Sequence, residues 1–188
     1  MVEDPAAEVL DVVDAADRVT GRAPRGRVYA ERLRHRCVFV LVRDGAGQVF
    51  VHRRTDTKQV FPGCWDLFVG GVVGAGEGYD EAALREAEEE LGVSGLERPT
   101  PLFRFLFEGE AGSWWSAVYE VRWEGPVSPQ ESEVAWHAFV PEERIGEWLR
   151  EPGRSWVPDG LEAYRRLRAG GGPGAEGPGP GAGGNLDG

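Results

Sequence analysis

Long hydrophobic runs, a basic leader and excess positive charge are all missing from this sequence of 188 residues. No apolar run approaches the roughly 20 residues that a membrane-spanning helix needs. The N-terminal stretch MVEDPAAEVLDVVD lacks the basic-then-apolar order of a signal peptide. The net charge of −11 argues against general nucleic-acid binding, which requires a basic surface. We therefore expect a cytoplasmic protein without membrane or nucleic-acid partners, whose carboxylates hold cations.

Cysteine is also scarce, since Cys37 and Cys64 are the two in the chain. They form no CxxC pair, and they have no zinc-binding spacing with the three histidines. We expect each to be a buried or half-buried thiol, as free cysteines commonly are.

The composition changes sharply at the C-terminal end. Residues 169–188 are almost all Gly, Pro and Ala, and such a segment cannot bury enough apolar surface to offset its ordering entropy. We predict a disordered tail over 169–188, a flexible N-terminus over 1–7 and a single domain over 8–168, a length that supports a sizeable core.

Within that domain, strand and helix patterns are mixed. Hairpins are predicted in EVLDVVDAADRVTGRAP, in CVFVLVRDGAGQVFVHRRT and between PLFRFLFEG and SWWSAVYEVRWEG. Further strands are expected in KQVFPGCWDLFVGGVV and VAWHAFVP. Helices are predicted in RGRVYAERLRHR, GYDEAALREAEEELGV, PEERIGEWLRE and PDGLEAYRRLRAG, the last capped by Asp159. The pattern favours an α/β or α+β sandwich, with helices on the faces of a mixed sheet.

Glutamates crowd the helix that contains REAEEE. On a helical wheel Leu84, Ala87 and Leu91 share one face, which places the glutamates on the opposite face. Like charges three and four residues apart repel each other, and no lysine or arginine follows them at the next turn. A bound Mg²⁺ would remove that repulsion, because hard divalent cations prefer several oxygen ligands.

The spacing of these residues resembles the Nudix box. The matching positions are Gly71, Glu77, Arg85, Glu86, Glu89, Glu90 and Gly92, with the apolar Ala87 between them. The resemblance implies a Nudix α/β/α sandwich whose box forms a loop-helix-loop, and hydrolysis of a nucleoside diphosphate linked to another group. It further implies Mg²⁺ or Mn²⁺ as cofactor, held by Glu86, Glu90 and the Gly70 carbonyl.

The resemblance assigns roles to the remaining box residues as well. Glu89 would bind the metal directly or through water, and Arg85 and Glu77 would form a structural ion pair. Members of this family often use another glutamate from a later loop in catalysis. Here Glu131 and Glu133 are the candidates, and an aromatic residue six positions after Glu133 favours the second. The catalytic set expected is Glu86, Glu89 and Glu133.

A segment before the box, HRRTDTKQVFPGCWD, resembles type I isopentenyl-diphosphate isomerases and the hydrolases nearest to them. The resemblance implies that Arg54 and Lys58 bind a diphosphate. It also makes the isomerase an alternative function. The isomerase cysteine would stand at Gly70 and a metal-binding histidine at Val72, whereas Cys64 is out of register, so hydrolysis is favoured.

A non-catalytic nucleotide-binding module is the third alternative, although such modules generally lose box carboxylates and this box is intact. The substrate's second group cannot be identified from the sequence. Monomer and homodimer both remain open.

Overall fold

The computed structural model describes residues 4–58 and 60–170. Residues 1–3 and 171–188 lie outside the described residues, and they include most of the predicted tail and part of the predicted flexible N-terminus. The predicted domain bounds therefore stay predictions. Residues Pro5–Ala7 form a short 3-10 helix that is capped by the Asp4 carboxylate. No helix in the described part of the chain is long and apolar enough to cross a membrane.

Eight strands and four α-helices follow one another in the described residues. The strands are β1 (Val9–Val13), β2 (Val19–Pro24), β3 (His35–Arg43), β4 (Val49–Arg54), β5 (Trp65–Asp66), β6 (Thr100–Gly109), β7 (Gly112–Arg122) and β8 (Val134–Val140). The helices are α1 (Arg25–Ala30), α2 (Tyr79–Leu91), α3 (Glu142–Trp148) and α4 (Pro158–Arg168).

A mixed six-stranded sheet forms the centre of the fold. Its strand order is β5-β4-β3-β7-β6, and β8 pairs with β4. The β3–β7 pair is parallel from His35↔Trp114 to Arg43↔Arg122, whereas the β6–β7 hairpin is antiparallel. The separate β1–β2 hairpin packs its Leu10 and Ala23 on α1 and Val72.

The two faces of this sheet bury two hydrophobic cores. Strand β3 supplies both, because successive side chains of a strand point to opposite faces. Val38, Val40 and Val42 pack against α2, and Phe39 and Leu41 face the layer formed by α3 and α4. Helices therefore cover both faces of a mixed sheet, which confirms the predicted α/β/α sandwich of the α+β type.

Three local predictions differ from the structure. The β3–β4 hairpin is paired only at Arg43↔Val49, because residues 69–72 pair with the rest of that β3 edge, at Val40↔Val69 and Cys37↔Val72. Helix α1 ends at Ala30, and Arg32 with a φ of 53° breaks it before β3 starts. Asp159 does not cap α4: Val157 is the N-cap and Pro158 is the first helical residue, a position for which its fixed φ is suited.

Candidate functional site

The loop that precedes α2 runs unusually close to β3. At Gly70, with a φ of 153°, a Cβ would lie 2.0 Å from the Val38 carbonyl oxygen, so no side chain fits there without a backbone shift. At Gly71 a Cβ would lie 2.5 Å from a Glu86 carboxylate oxygen. The two glycines therefore let the loop pass between β3 and the helix, and they leave room for the Glu86 carboxylate.

Helix α2 half-buries two of its glutamates, Glu86 and Glu90, although the helical wheel placed them opposite the apolar face. Ala83 and Ala87 form the buried stripe, and Glu90 follows Ala83 and Ala87 at spacings of seven and three residues, on the same side of the helix. The side chain of Glu86 is only 14% exposed, whereas that of Glu89 is 57% exposed. The wheel placed Ala87 and Leu91 in the core correctly, but Leu84 is only partly buried, and the small Ala83 beside them leaves space for the carboxylates.

Burial sets the protonation behaviour of these two carboxylates. It raises the pKa of Glu90 to about 8, and the neighbouring Glu86 charge adds to the effect. The Gly70 N–H donates to Glu90 Oε2 at 3.2 Å, and this bond together with Arg54 opposes the shift. Burial also raises the pKa of Glu86, against the attraction of Arg85. The site favours positive charge between Glu86 and Glu90, because each carboxylate destabilises the ionised form of the other.

Arg85 connects the loop, the helix and the glutamates. Its Nε and Nη2 donate to the two carboxylate oxygens of Glu77, each at 2.8 Å, so the predicted contact is present as a bidentate ion pair. Its Nη1 donates to Glu86 at 2.7 Å and lies 3.6 Å from Glu89. The Gly74 N–H donates to Glu77 at 2.9 Å, which completes the link between loop and helix. Part of the glutamate repulsion is therefore offset within the protein itself.

The end of α2 carries two further structural contacts. Glu88 accepts a hydrogen bond from the Leu96 N–H at 2.9 Å and so holds the following loop. Gly92 ends the helix in the left-handed region with a φ of 63°, as its predicted place in the box requires. A Cβ at Gly92 would lie 1.9 Å from the Ser128 carbonyl oxygen.

Two cations approach the glutamates from the opposite side of the same cleft. Lys58 Nζ donates to Glu133 Oε1 at 3.0 Å, and Arg54 Nη2 donates to the Val60 carbonyl at 3.2 Å. The buried Arg54 Nε has no hydrogen-bond partner among the described residues. Glu133 lines the cleft, whereas Glu131 is exposed and lies outside it. The geometry thus favours Glu133 over Glu131 as the later-loop glutamate.

The cleft has a volume of about 1260 Å³ and brings most of the candidate residues together. It is lined by Gly70, Gly71, Arg85, Glu86, Glu89, Glu90, Arg54, Lys58 and Glu133. Glu77 and Gly92 are not in its lining, in keeping with structural roles. Both cysteines are half-buried, as expected, and Cys37 lines the cleft, where burial holds its pKa well above the usual value.

Sequence reasoning missed an acidic pair in this cleft, Asp66 and Asp159. Burial raises the pKa of Asp66 to about 7 and that of Asp159 to about 6. Asp159 was interpreted as a helix cap, and Asp66 stands alone in the apolar stretch CWDLFVGG. The signal in the sequence that could have identified Asp66 was a single carboxylate between two buried stretches.

Among residues 4–58 and 60–170, no group of three or more His, Cys, Asp or Glu side chains is arranged to hold a metal ion. Glu86 is turned towards Arg85, and Glu89 extends towards solvent. The donor set nevertheless suits a hard cation, since Glu86 and Glu90 are adjacent buried carboxylates that disfavour each other's charge. Those two residues fit a divalent cation, and Glu89 would have to turn inward to join them.

Comparisons with known proteins agree with this fold. The NUDIX domain family matches residues 33–162. An uncharacterized Nudix hydrolase from Streptomyces coelicolor is 64% identical over 93% of this chain and 94% of its own length. An uncharacterized Nudix hydrolase from Rhodococcus erythropolis is 40% identical over 82% of this chain and 89% of its own length.

A solved structure shows the same architecture. The crystal structure of the protein DR0079 from Deinococcus radiodurans superposes with a TM-score of 0.69 and is 32% identical. The match covers 85% of this chain and 98% of that protein.

Proposed function

We propose that this chain, which belongs to the Nudix family and is a hydrolase of pyrophosphate bonds, acts on a nucleoside diphosphate derivative or a related organic diphosphate with Mg²⁺ or Mn²⁺ as cofactor. The observation that carries the proposal is the distribution of charge in one cleft. Half-buried carboxylates lie on the α2 side, and the cationic side chains of Arg54 and Lys58, including the unpartnered Arg54 Nε, lie on the β4 side. A diphosphate bound through a metal ion needs both.

Glu86 and Glu90 would hold the cation, with the Gly70 carbonyl as a third oxygen and Glu89 as a further ligand. When bound, the cation would neutralise phosphate oxygens and make a water molecule more acidic. Arg85 keeps its own role in this arrangement, because its bidentate bond to Glu77 fixes the loop that carries Gly70 and Gly71.

Arg54 and Lys58 are the residues that would bind the diphosphate. Two cations four residues apart suit a ligand with several phosphate oxygens, and the unpartnered Arg54 Nε is a donor still available to one of them. Lys58 is paired with Glu133, so a phosphate that attracted Lys58 would release the Glu133 carboxylate. Glu133 would then accept the proton of the attacking water.

The structure bears on the isomerase alternative at position 70. That reaction would need a thiol there, and a side chain at this φ would clash with the Val38 carbonyl. Cys64 lies outside the cleft, and burial keeps the Cys37 thiol protonated. The proposed subgroup is therefore the hydrolases that resemble the isomerases.

A substrate screen tests the proposal directly. Purified protein is incubated with Mg²⁺, with Mn²⁺ or with excess EDTA against nucleotide sugars, dinucleoside polyphosphates, nucleoside di- and triphosphates, ADP-ribose and isopentenyl diphosphate. We expect metal-dependent cleavage of at least one diphosphate and no dimethylallyl isomer. Full activity in EDTA would contradict the metal role. Isomer formation would identify the isomerase, and tight nucleotide binding without any turnover would identify a non-catalytic module.

A cytoplasmic location and the absence of nucleic-acid partners remain predictions of the sequence. The second rests on its net charge of −11.

A further inference from the structure

Beside the diphosphate-binding residues, two elements bring an acidic pair together. The Trp65 N–H donates to the Ser155 carbonyl at 2.9 Å, and the Val157 N–H donates to the Trp65 carbonyl at 2.8 Å. This pairing places Asp66, the next residue of β5, against the first turn of α4. A Cβ at Gly160 would lie 2.6 Å from Asp66 Oδ1, so the glycine allows the carboxyl to approach the helix next to Asp159.

The two carboxyl groups are buried but only half satisfied. Asp66 and Asp159 are each 6% exposed. Asp66 Oδ1 accepts from the Leu67 N–H at 2.8 Å and the Phe68 N–H at 3.1 Å, and Asp159 Oδ1 accepts from the Gly160 N–H at 3.0 Å. None of the side-chain hydrogen bonds among the described residues uses the Oδ2 atom of either carboxyl. Neither Oδ2 is among the described side-chain atoms that are fully buried without a partner, so each is an acceptor that is open to the cleft.

A buried donor without a partner faces the same place. Trp114 is 6% exposed, lines the cleft, and its indole Nε1 has no hydrogen-bond partner in the described part of the chain. The indole N–H faces the Asp159 carboxyl and lowers its pKa as a weak donor, but it does not reach good hydrogen-bond geometry. A ligand atom that accepted from this donor would complete its hydrogen bonding.

We propose that Asp66, Asp159 and Trp114 form a subsite that recognises a hydroxyl-bearing part of the substrate next to its diphosphate. The site presents two acceptors and one donor. A hydroxyl group can both donate to a carboxyl and accept from the indole N–H, whereas an ammonium group can only donate. Phe68 and Val157 add apolar surface to the cleft around these polar atoms. The inference rests on the proposed function, because it concerns the same cleft.

Arg54 connects the subsite to the diphosphate region. Its positive charge lowers the pKa of Glu90 on one side and those of Asp66 and Asp159 on the other. A diphosphate that contacts Arg54 would therefore carry its organic group towards the acidic pair. Burial favours the neutral carboxyl forms, which reduces repulsion of the nearby phosphates.

Binding of non-hydrolysable probes tests the subsite without requiring turnover. Isothermal calorimetry with Mg²⁺ compares three methylenediphosphonate monoesters that carry propyl, 2,3-dihydroxypropyl or 3-aminopropyl groups. We expect the dihydroxypropyl ester to bind at least about tenfold more tightly than the propyl ester, because a site built for hydrogen bonds discriminates against an analogue that lacks them. Equal binding of these two esters, or no binding of any probe, would overturn the inference. Tighter binding of the aminopropyl ester would also overturn it, in favour of an ammonium site.

Variants then connect the preference to the named residues. Asp159→Ala should reduce the dihydroxypropyl-to-propyl affinity ratio below about threefold, and Trp114→Phe should reduce it part of the way. Asp66→Asn keeps the shape of the side chain and should reduce the ratio if Asp159→Ala does not fold. The matched control is Asp56→Ala, which removes an acidic side chain that is 79% exposed and outside the cleft lining, and it should keep the wild-type ratio. A wild-type ratio in all three cleft variants would sink the assignment.

A hydrolysable diphosphate and the matching diphosphonate separate this inference from the proposed function. Hydrolysis of 2,3-dihydroxypropyl diphosphate with Mg²⁺ tests the enzyme activity, and the diphosphonates test the binding preference. Hydrolysis without a preference would remove the subsite and leave the function. Tighter binding of the dihydroxypropyl diphosphonate without hydrolysis of any diphosphate would leave the subsite and remove the proposed function.

Discussion

At the scale of single residues, Glu90 lies where the fold disfavours its charge. Burial and the Glu86 charge raise its pKa, so the ionised form destabilises the metal-free protein. Glu90→Gln keeps the acceptor for the Gly70 N–H and removes the charge. We expect the metal-free melting temperature at pH 8 to rise by roughly 2–6 °C. Metal-dependent kcat should fall at least about a hundredfold, as expected for a positioned catalytic group.

Glu88→Gln is the control for that variant. Glutamine can still accept from the Leu96 N–H, so this contact is retained. We expect activity within a few-fold of wild type in steady-state assays. Equal losses in Glu88→Gln and Glu90→Gln would show that the cleft-lining Glu90 and the loop-holding Glu88 do not differ in function.

The raised pKa of Asp66 makes the free energy of unfolding depend on pH. Its pKa is raised by burial from 3.8 to about 7, so between these values the folded state binds more protons than the unfolded state. The stabilisation is complete below the unfolded pKa and is lost as the pH rises towards 7. In Asp66→Asn, the free energy of unfolding measured with urea should vary less between pH 4.5 and 8 than in the wild type. The stability gained over the wild type should be largest at pH 8. An unchanged slope would contradict the assignment, and Asp56→Asn serves as the exposed control.

At the scale of elements, the end of α2 requires Gly92 for two reasons: its left-handed backbone conformation and a close contact with another part of the chain. Gly92 and Gly95 have φ angles of 63° and 80°, so both substitutions to alanine introduce left-handed strain. At Gly92 the new Cβ would also lie 1.9 Å from the Ser128 carbonyl, whereas nothing lies within 4 Å at Gly95. We expect Gly95→Ala to cost about 1 kcal/mol and Gly92→Ala at least about 2 kcal/mol more, as is typical of overpacking. Chemical denaturation measures both, and equal losses would contradict the close contact.

The link between the box loop and α2 can be tested by a double-mutant cycle. Arg85→Ala and Glu77→Ala each remove the bidentate pair, and we expect each to destabilise the protein by roughly 1–3 kcal/mol because the groups are only half-buried. The double variant should be clearly less destabilised than the sum of the two. Activity should fall together with stability in Arg85→Ala. Lost activity with unchanged stability would instead place Arg85 on the substrate.

The helices and hairpins with strong periodic patterns were predictable from sequence, and α2 shows where that reasoning stops. Its limits and its C-terminal glycine follow from local signals, so the prediction of the helix is confirmed. The direction in which Glu86 and Glu90 point depends on how closely the alanine stripe approaches β3, which is a tertiary property. For the same reason the partial pairing of β3 with β4 could not be inferred from the hairpin turn, because residues 69–72 pair with β3 where β4 would otherwise lie.

At the scale of the whole molecule, the cleft collects residues from nearly every part of the chain. The glutamates come from α2, the cations from β4 and its following loop, Glu133 from the segment before β8, and the acidic pair from β5 and α4. The box could be recognised because its residues are close in sequence. Asp66 and Asp159 are brought together by the Trp65 to Val157 pairing, which no local pattern shows.

Metal binding should stabilise the whole molecule in a pH-dependent way. Ligand carboxylates must be deprotonated to bind a cation, and burial raises the pKa values of Glu86 and Glu90. Protons therefore compete with the metal at low pH, and at a fixed Mg²⁺ concentration the increase in melting temperature should be larger at pH 8 than at pH 6. Calorimetry in buffers of different ionisation enthalpy should show proton release at pH 6 to 7. Glu90→Gln should reduce that release, whereas Glu147→Gln, whose side chain is 58% exposed on α3, should leave it unchanged. A metal effect independent of pH would show that these two carboxylates are already ionised in the free protein, against the charge distribution described for α2.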